Sequence, residues 1–216
     1  KTIKNALKTP DVRKKLMYTL LLIVIFRLGC YITVPGVDSF QLAEAFSGQG
    51  ISSLIDMISG GAFSRLSIFA MSISPYITAS IVIQLLGMVI PSLERLMKEG
   101  GEDGRNKINR YTKILTIVLA LIEGVGVYLA YRSSGIFIDT GFVTGATVVI
   151  SLMAGTALLM WLGDQITNKG IGNGISIIIF VGIIAGLPSG VVSIWNLIFA
   201  GGVFSTTGLL TALGII

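Results

Sequence analysis

The sequence predicts an all-α fold, a polytopic membrane helix bundle. Three observations predict it. The chain is 53% hydrophobic and only 12% charged, against about 25% charged residues in a typical soluble domain. Its apolar residues form long continuous runs, not the alternating pattern of a transmembrane barrel, so the backbone satisfies itself in lipid as helix. Its basic residues lie between those runs, which is a topology signal and not the solvated patch of a nucleic-acid binder.

The basic start Lys1-Thr-Ile-Lys-Asn-Ala-Leu-Lys8 precedes a first span over residues 16–34. That run is too long for the core of a signal peptide, and no Ala-x-Ala site follows it. It is read as a span that stays in the protein and stops at Pro35-Gly36. The second span covers residues 66–90 and is closed by Pro91, with a kink expected at Pro75. Ser72, Ser74, Thr78 and Ser80 are available there to satisfy freed backbone groups or to allow close packing. The third span covers 111–131 and the fourth 142–162. The fifth begins near Gly172, and its strongest part ends at Leu187-Pro188. At about 1.5 Å per residue, 175–187 reaches about 20 Å of a hydrocarbon core about 30 Å thick. It must therefore use its Gly-rich front or the residues after Pro188, or face an aqueous cavity. A further apolar run from Thr207 to Ile216 reads as the start of a sixth span, which makes the sequence a fragment. The organisation expected is a cytoplasmic segment 1–15, a five-helix unit 16–200 and the sixth-span start 201–216.

Lys and Arg placement orients the bundle. Thirteen lie in the amino tail, between spans two and three, and in the turn before span five; two, Arg65 and Arg132, lie on the other side. The positive side is cytoplasmic, so the amino terminus is inside. Arg27 stands alone within the first span, either snorkelling outward or lining a funnel.

On the outer side, Ile51, Leu54, Ile55 and Ile58 occupy one face of a helix too short to span, flanked by Gly48, Gly50, Gly60 and Gly61. An interfacial helix and a re-entrant segment both fit. The turn over residues 163–174 carries neither Gly-Lys-Ser/Thr nor a Gly-x-Gly-x-x-Gly after a strand, so it is a tight polar turn and not a nucleotide loop. With no histidine and one cysteine, Cys30, imidazole metal sites and intrachain disulfides are excluded. Nothing suggests an enzyme or a cofactor. Inside the spans, Gln84 and Glu123 are costly in lipid and face protein or water. Glu123 is either a hydrogen-bonded packing contact or a wall of an aqueous pathway. Gly182 and Gly186 form a small-xxx-small packing pair. Ile77 and Ile81 share a face of span two, and Ile175 and Ile179 share a face of span five. Such pairs are ordinary packing residues or, together, a constriction that excludes water and ions.

The run Ser67-Ile-Phe-Ala-Met-Ser-Ile-Ser-Pro-Tyr-Ile-Thr-Ala-Ser-Ile-Val-Ile-Gln-Leu-Leu86 closely resembles the second span of the SecY family, the channel subunits of bacterial protein translocases. Trp161-Leu-Gly-Asp-Gln-Ile-Thr-Asn-Lys-Gly-Ile-Gly-Asn-Gly-Ile-Ser-Ile-Ile-Ile-Phe180 resembles its span-four-to-five turn. Gly101-Glu-Asp-Gly-Arg-Asn-Lys107, Phe26-Arg-Leu-Gly29 and Val34-Pro-Gly-Val37 fit as well, so the resemblance covers essentially the whole chain. It implies the amino-terminal five-helix half of an inverted-repeat channel. Ile77, Ile81, Ile175 and Ile179 would belong to a pore ring. Residues 40–64 would be a plug with Ile51, Leu54, Ile55 and Ile58 on its short helix. Spans two and three would form one side of a lateral gate, with Gln84, Glu123 and Asn173 as polar groups near gate or ring. Arg105, Lys107 and Arg110 would sit in a basic cytoplasmic loop. The resemblance also implies a bacterial inner (plasma) membrane location, SecE and SecG as membrane partners, SecA or the ribosome as motor, and a secretory polypeptide with its signal sequence as cargo. A small-solute secondary transporter is the alternative; it predicts a saturable site near Glu123 and Gln84.

Overall fold

The computed structural model describes residues 9–38, 41–42 and 59–199, with side chains through Pro188. Six helices run through these residues: α1 Pro10–Gly29, α2 Ser74–Val89, α3 Pro91–Lys98, α4 Gly101–Tyr131, α5 Phe142–Lys169 and α6 Gly174–Phe199. Among the described residues the only extended pairings are two isolated bridges, Thr33 with Ser67 and Val37 with Phe137.

The long pair α4 and α5 forms the centre. At about 1.5 Å per residue they reach about 46 and 42 Å, well beyond a core about 30 Å thick. Each is long and apolar enough to cross a membrane, whereas α2 and α3 meet that measure only together, as a pair bent by 105°. The buried stripe of α4 is Thr112, Thr116, Ala120, Gly124 and Tyr128, at intervals of one turn and, until the closing tyrosine, small or hydroxylated throughout. Small residues let helix backbones approach, and the two threonines return their hydroxyls to the Ile108 and Thr112 carbonyls at 3.0 and 2.7 Å. The stripe of α5 includes Gly145, Val149, Leu152, Thr156, Leu159, Gly163 and Ile166, alternating steps of four and three as in a helix-packing seam. α4 packs on α5 and α2, α6 on α5, and α1 on α5 with a lighter contact to α6. The Tyr128 hydroxyl joins α4 to the start of α5 by donating to the Thr140 and Gly141 carbonyls at 3.0 and 3.2 Å.

The structure corrects several expected boundaries. Hydropathy places the first span at 16–34, but α1 starts earlier and stops at Gly29. Beyond it the chain turns and runs extended, with Cys30 and Val34 buried. Hydropathy places the second span at 66–90, but only Ser74–Val89 is helical. Residues 66–73 form irregular turns, with Leu66 and Ser72 at positive φ, 41° and 52°. Pro75 therefore starts α2 and does not kink it, because proline lacks the N–H that a helix interior requires but is tolerated in the first turn. The irregular stretch is buried protein: Leu66, Ser67, Phe69, Ala70 and Ile73 are all nearly inaccessible. Its backbone is tied to the extended chain that follows α1 through Val34 N–H to Leu66 O at 3.0 Å and Ile68 N–H to Ile32 O at 2.9 Å. Irregular backbone at membrane depth is tolerated when protein surrounds it in this way.

Pro91 closes α2 as expected. Ile90 is pushed to extended backbone, as a residue before proline is, and α3 leaves at the 105° bend. It folds back over Gly87, where a Cβ would lie 2.2 Å from the Met97 sulfur. Lys98 pairs with Glu94 one turn earlier at 2.7 Å, and that hydrogen bond raises the Lys98 ammonium above its ordinary range. The expected basic loop is also corrected: Arg105, Lys107 and Arg110 lie on the helical front of α4. The polar turn at 163–174 shrinks to residues 170–173, since α5 continues to Lys169. Three side chains fix that turn. Thr19 of α1 accepts from Ile171 N–H at 3.2 Å, Thr167 accepts from Gly174 N–H at 2.9 Å, and Asn173 caps α6. The fifth span solves its length problem by running on through Pro188 to Phe199.

Candidate functional site

The packed face of α2 is Pro75, Ala79, Ile83 and Gly87. Ile77, Ile81, Gln84, Leu85 and Met88 lie at i, i+4, i+7, i+8 and i+11 and are exposed together, Ile77 at 41% and Ile81 at 51%. Gln84 is tied to its own helix, its Nε2 donating to Ser80 Oγ at 3.3 Å. The two isoleucines of α6 stand differently. Ile175 and Ile179 are half-buried against the core cluster of Leu22, Phe26, Phe69, Leu159, Leu162 and Ile178, which Ile77 and Ile81 do not join.

Glu123 lies beside the buried stripe of α4, half-exposed, and no hydrogen bond or ion pair engages it among the described residues. Of the two readings open for it, a hydrogen-bonded packing contact is not what the structure contains. Asn173 acts locally. Its Oδ1 accepts from the Ile175 and Ser176 N–H groups at 3.1 and 3.2 Å, capping the helix that carries two of the isoleucines. Ile51, Leu54, Ile55 and Ile58 lie outside the described residues. Gly182 and Gly186 are buried, as a packing pair should be. Arg27 is partly buried, and its Nη1 donates to the Gly60 carbonyl at 3.0 Å.

Sequence reasoning missed the ion pair that joins α4 to α5. Lys113 Nζ of α4 bonds Asp164 Oδ2 of α5. The signal available was a lysine and an aspartate at matching depths near the cytoplasmic ends of two predicted spans. Both side chains keep about a third of their exposure, so the pair contributes about 1 kcal/mol and not the larger value of a dry one. Replacing Lys113 with glutamate is expected to lower the melting temperature of the full-length protein in detergent, and adding Asp164→Lys should restore most of the loss. An uncorrected double variant would mean that the pair does not join the two helices.

A cavity of about 350 Å³ opens between the ends of α4 and α5, lined by Tyr128, Arg132, Thr140 and Phe142 among others. None of the four isoleucines lines it. Among the described residues no three Cys, Asp or Glu side chains converge on a possible metal position.

A family model described as SecY matches residues 67–216. The chain belongs to the SecY family. It is 44% identical, over 98% of its length, to a protein translocase subunit SecY of Streptomyces scabiei, covering 52% of that protein. The match to the subunit of Rickettsia felis is 41% over 95% of this chain and 49% of the relative. The chain thus spans about half the length of the curated relatives it matches. Among solved structures it resembles Sec61 in the canine ribosome–channel complex of the endoplasmic reticulum, with a TM-score of 0.59 and 20% identity, over 92% of this chain and 40% of that one. A structure titled a protein-conducting channel matches at a TM-score of 0.58, also at 20% identity, over 92% of this chain and 40% of its own. The expected all-α membrane bundle of the SecY fold is therefore what the chain forms, and nothing favours the transporter alternative.

Proposed function

We propose that this chain supplies the amino-terminal half of a protein-conducting channel, which passes unfolded secretory polypeptides across the membrane and releases signal or transmembrane segments sideways into lipid. The observation that carries this reading is the exposed aliphatic face of α2. A helix whose opposite face is packed keeps Ile77 and Ile81 free, and Ile175 and Ile179 wait at the edge of the core on α6. Four β-branched side chains on two helices suit a collar that excludes water yet yields around a passing chain without binding it.

The other parts follow from the same reading. Residues 40–64 act as the plug. Helices α2 and α4 form one wall of the lateral gate, where Gln84 and the unpaired Glu123 weaken helix-to-helix closure so that an apolar signal helix can replace one wall. The chain resides in the bacterial inner membrane with its amino terminus in the cytoplasm, in keeping with its basic bias. SecE and SecG are its membrane partners, and SecA or the ribosome supplies the driving force. A ribosome stands beside the relative in the canine complex.

The test places a photoreactive residue at Ile81 or at Ile179 in the full-length channel holding a stalled secretory polypeptide. Adducts to the polypeptide are expected from both positions, with none from Phe142, which is 92% exposed at the far end of α5. Equal adducts from Phe142, or none from Ile81, would overturn the reading.

A further inference from the structure

We propose that the cleft between the ends of α4 and α5 is a binding site for one phospholipid with an anionic headgroup, whose phosphate Arg132 holds. The cavity of about 350 Å³ is built from two facing stripes. On α4, Val125 and Tyr128 lead to its cap residue Arg132, at i, i+3 and i+7. On α5, Phe142, Gly145, Ala146 and Val149 fall at i, i+3, i+4 and i+7. The inner wall is fixed. Tyr128, Gly145 and Val149 are buried, and a Cβ on Gly145 would stand 2.7 Å from Tyr128 Cε1. The Tyr128 hydroxyl already donates to two carbonyls, so its proton is committed. The rim differs, for Arg132 and Phe142 are both exposed. The site stands apart from the proposed ring, since none of the four isoleucines lines it.

Among the described residues no hydrogen bond or ion pair engages the Arg132 side chain. Asp139, in the same loop, turns Oδ1 to the Gly141 N–H at 3.2 Å and forms no ion pair with it. Arg65, by contrast, stacks on the Tyr31 ring at 4.4 Å. An apolar wall beneath an uncommitted guanidinium suits an amphiphile, with its chain in the cleft and its anion at the mouth. The planar fork of arginine matches two oxygens of a phosphate. Depth agrees with this. Arg132 directly follows Tyr131, the last residue of α4, so it stands where a span meets the headgroups. Tyr128, one turn deeper, is the amphipathic ring that such an interface favours. A free anion would use the arginine and leave the apolar wall bare. A partner's helix, about 10–12 Å across with its side chains, would cover the cleft without filling it. A phospholipid uses both parts. A headgroup with its own ammonium would bring a second cation to Arg132, so a net negative headgroup is favoured.

The experiment uses the full-length channel with its membrane partners in phosphatidylcholine vesicles. A small fraction of the lipid is phosphatidylglycerol with a photoreactive acyl chain, and adducts are mapped by mass spectrometry. Adducts are expected at Val125, Phe142 and Ala146. Arg132→Gln should lower them about tenfold, the equivalent of one charge-assisted contact. Arg132→Lys, which keeps the charge, should stay near the parent. Ala146→Leu fills the cleft and should remove the adducts with the charge intact. Ile122 and Ile150, exposed elsewhere on the two helices, report surrounding lipid and should be labelled alike in every variant. Cleft adducts unchanged in both Arg132→Gln and Ala146→Leu would mean passing lipid only and overturn the site. Labelling at Ile122 and Ile150 with none in the cleft would mean that a membrane partner covers it, which also overturns the site. Equal cleft capture of a photoreactive phosphatidylcholine would overturn the anionic preference.

Discussion

Replacing Gly155 with valine is expected to abolish assembly of the folded protein. The helix α5 passes the irregular stretch 66–73 at this residue, and a Cβ on Gly155 would lie 1.7 Å from the Ile68 carbonyl oxygen. The obstacle is backbone, which cannot rotate away as a side chain can. That backbone is also bonded elsewhere, since Ile68 N–H donates to Ile32 O at 2.9 Å, so retreat would break the tie between this stretch and the extended chain after α1. Overpacking of a core typically costs about 1–3 kcal/mol and occasionally more. A collision with backbone that is held on its other side belongs at the upper end, so Gly155→Ala should already lower the yield of protease-resistant protein in membranes. Gly126 of α4 supplies the control, because a Cβ there meets nothing within 4 Å. Gly126→Ala should match the parent, and a Gly155→Val chain as resistant as Gly126→Ala would show that 66–73 does not lie against α5.

The same stretch marks the limit of what the sequence makes legible. Hydropathy reports how apolar a segment is, and residues 66–73 continue the apolar run of the helix they precede. It cannot separate a helix in lipid from a bent chain buried in protein. Pro75 is the local signal for the boundary, because a proline opens a helix more readily than it sits inside one. The residues that seat the bend, Gly29 against the Phe69 ring and Gly155 against Ile68, lie 40 and 87 positions away from those partners, beyond the reach of any local pattern. Glycine-rich sequence misleads in the opposite direction at 163–169. Gly163 looks like a turn residue, but it is buried in α5 where Ile175 packs against it. Pro91, the long apolar runs of α4 and α5, and the family motifs are legible because each is a local, continuous feature. The site is legible only in part. Periodicity places Ile77 with Ile81 and Ile175 with Ile179, but it does not say which face of a helix its neighbours cover. Exposure of the first pair and half-burial of the second are tertiary facts.

That difference decides how the proposed pore ring should be tested. Ile81 has little packing to lose, because it is half-exposed and outside the core cluster, so Ile81→Asn is expected to leave the melting temperature of the full-length protein nearly unchanged. Its effect should fall on the seal. A β-branched aliphatic side chain contributes about 1.5–3 kcal/mol when fully removed from water. Replacing one in a collar with an amide that holds water is expected to raise resting ion conductance by about tenfold in reconstituted vesicles. Ile77→Asn should act in the same direction. Ile179→Asn has two effects, because Ile179 packs against the cluster that includes Phe26, Leu162 and Ile178; it should leak and also melt earlier. Ile178 separates the two contributions. It is 1% exposed, and Ile178→Val removes one methylene from the core at a cost of about 0.5–1.5 kcal/mol. That variant should melt earlier without leaking. If conductance instead follows melting temperature across the four variants, the leak comes from loosened packing and the isoleucines are not a seal. If Ile81→Asn leaks while its stability holds, the exposed face of α2 is the wall of the pore.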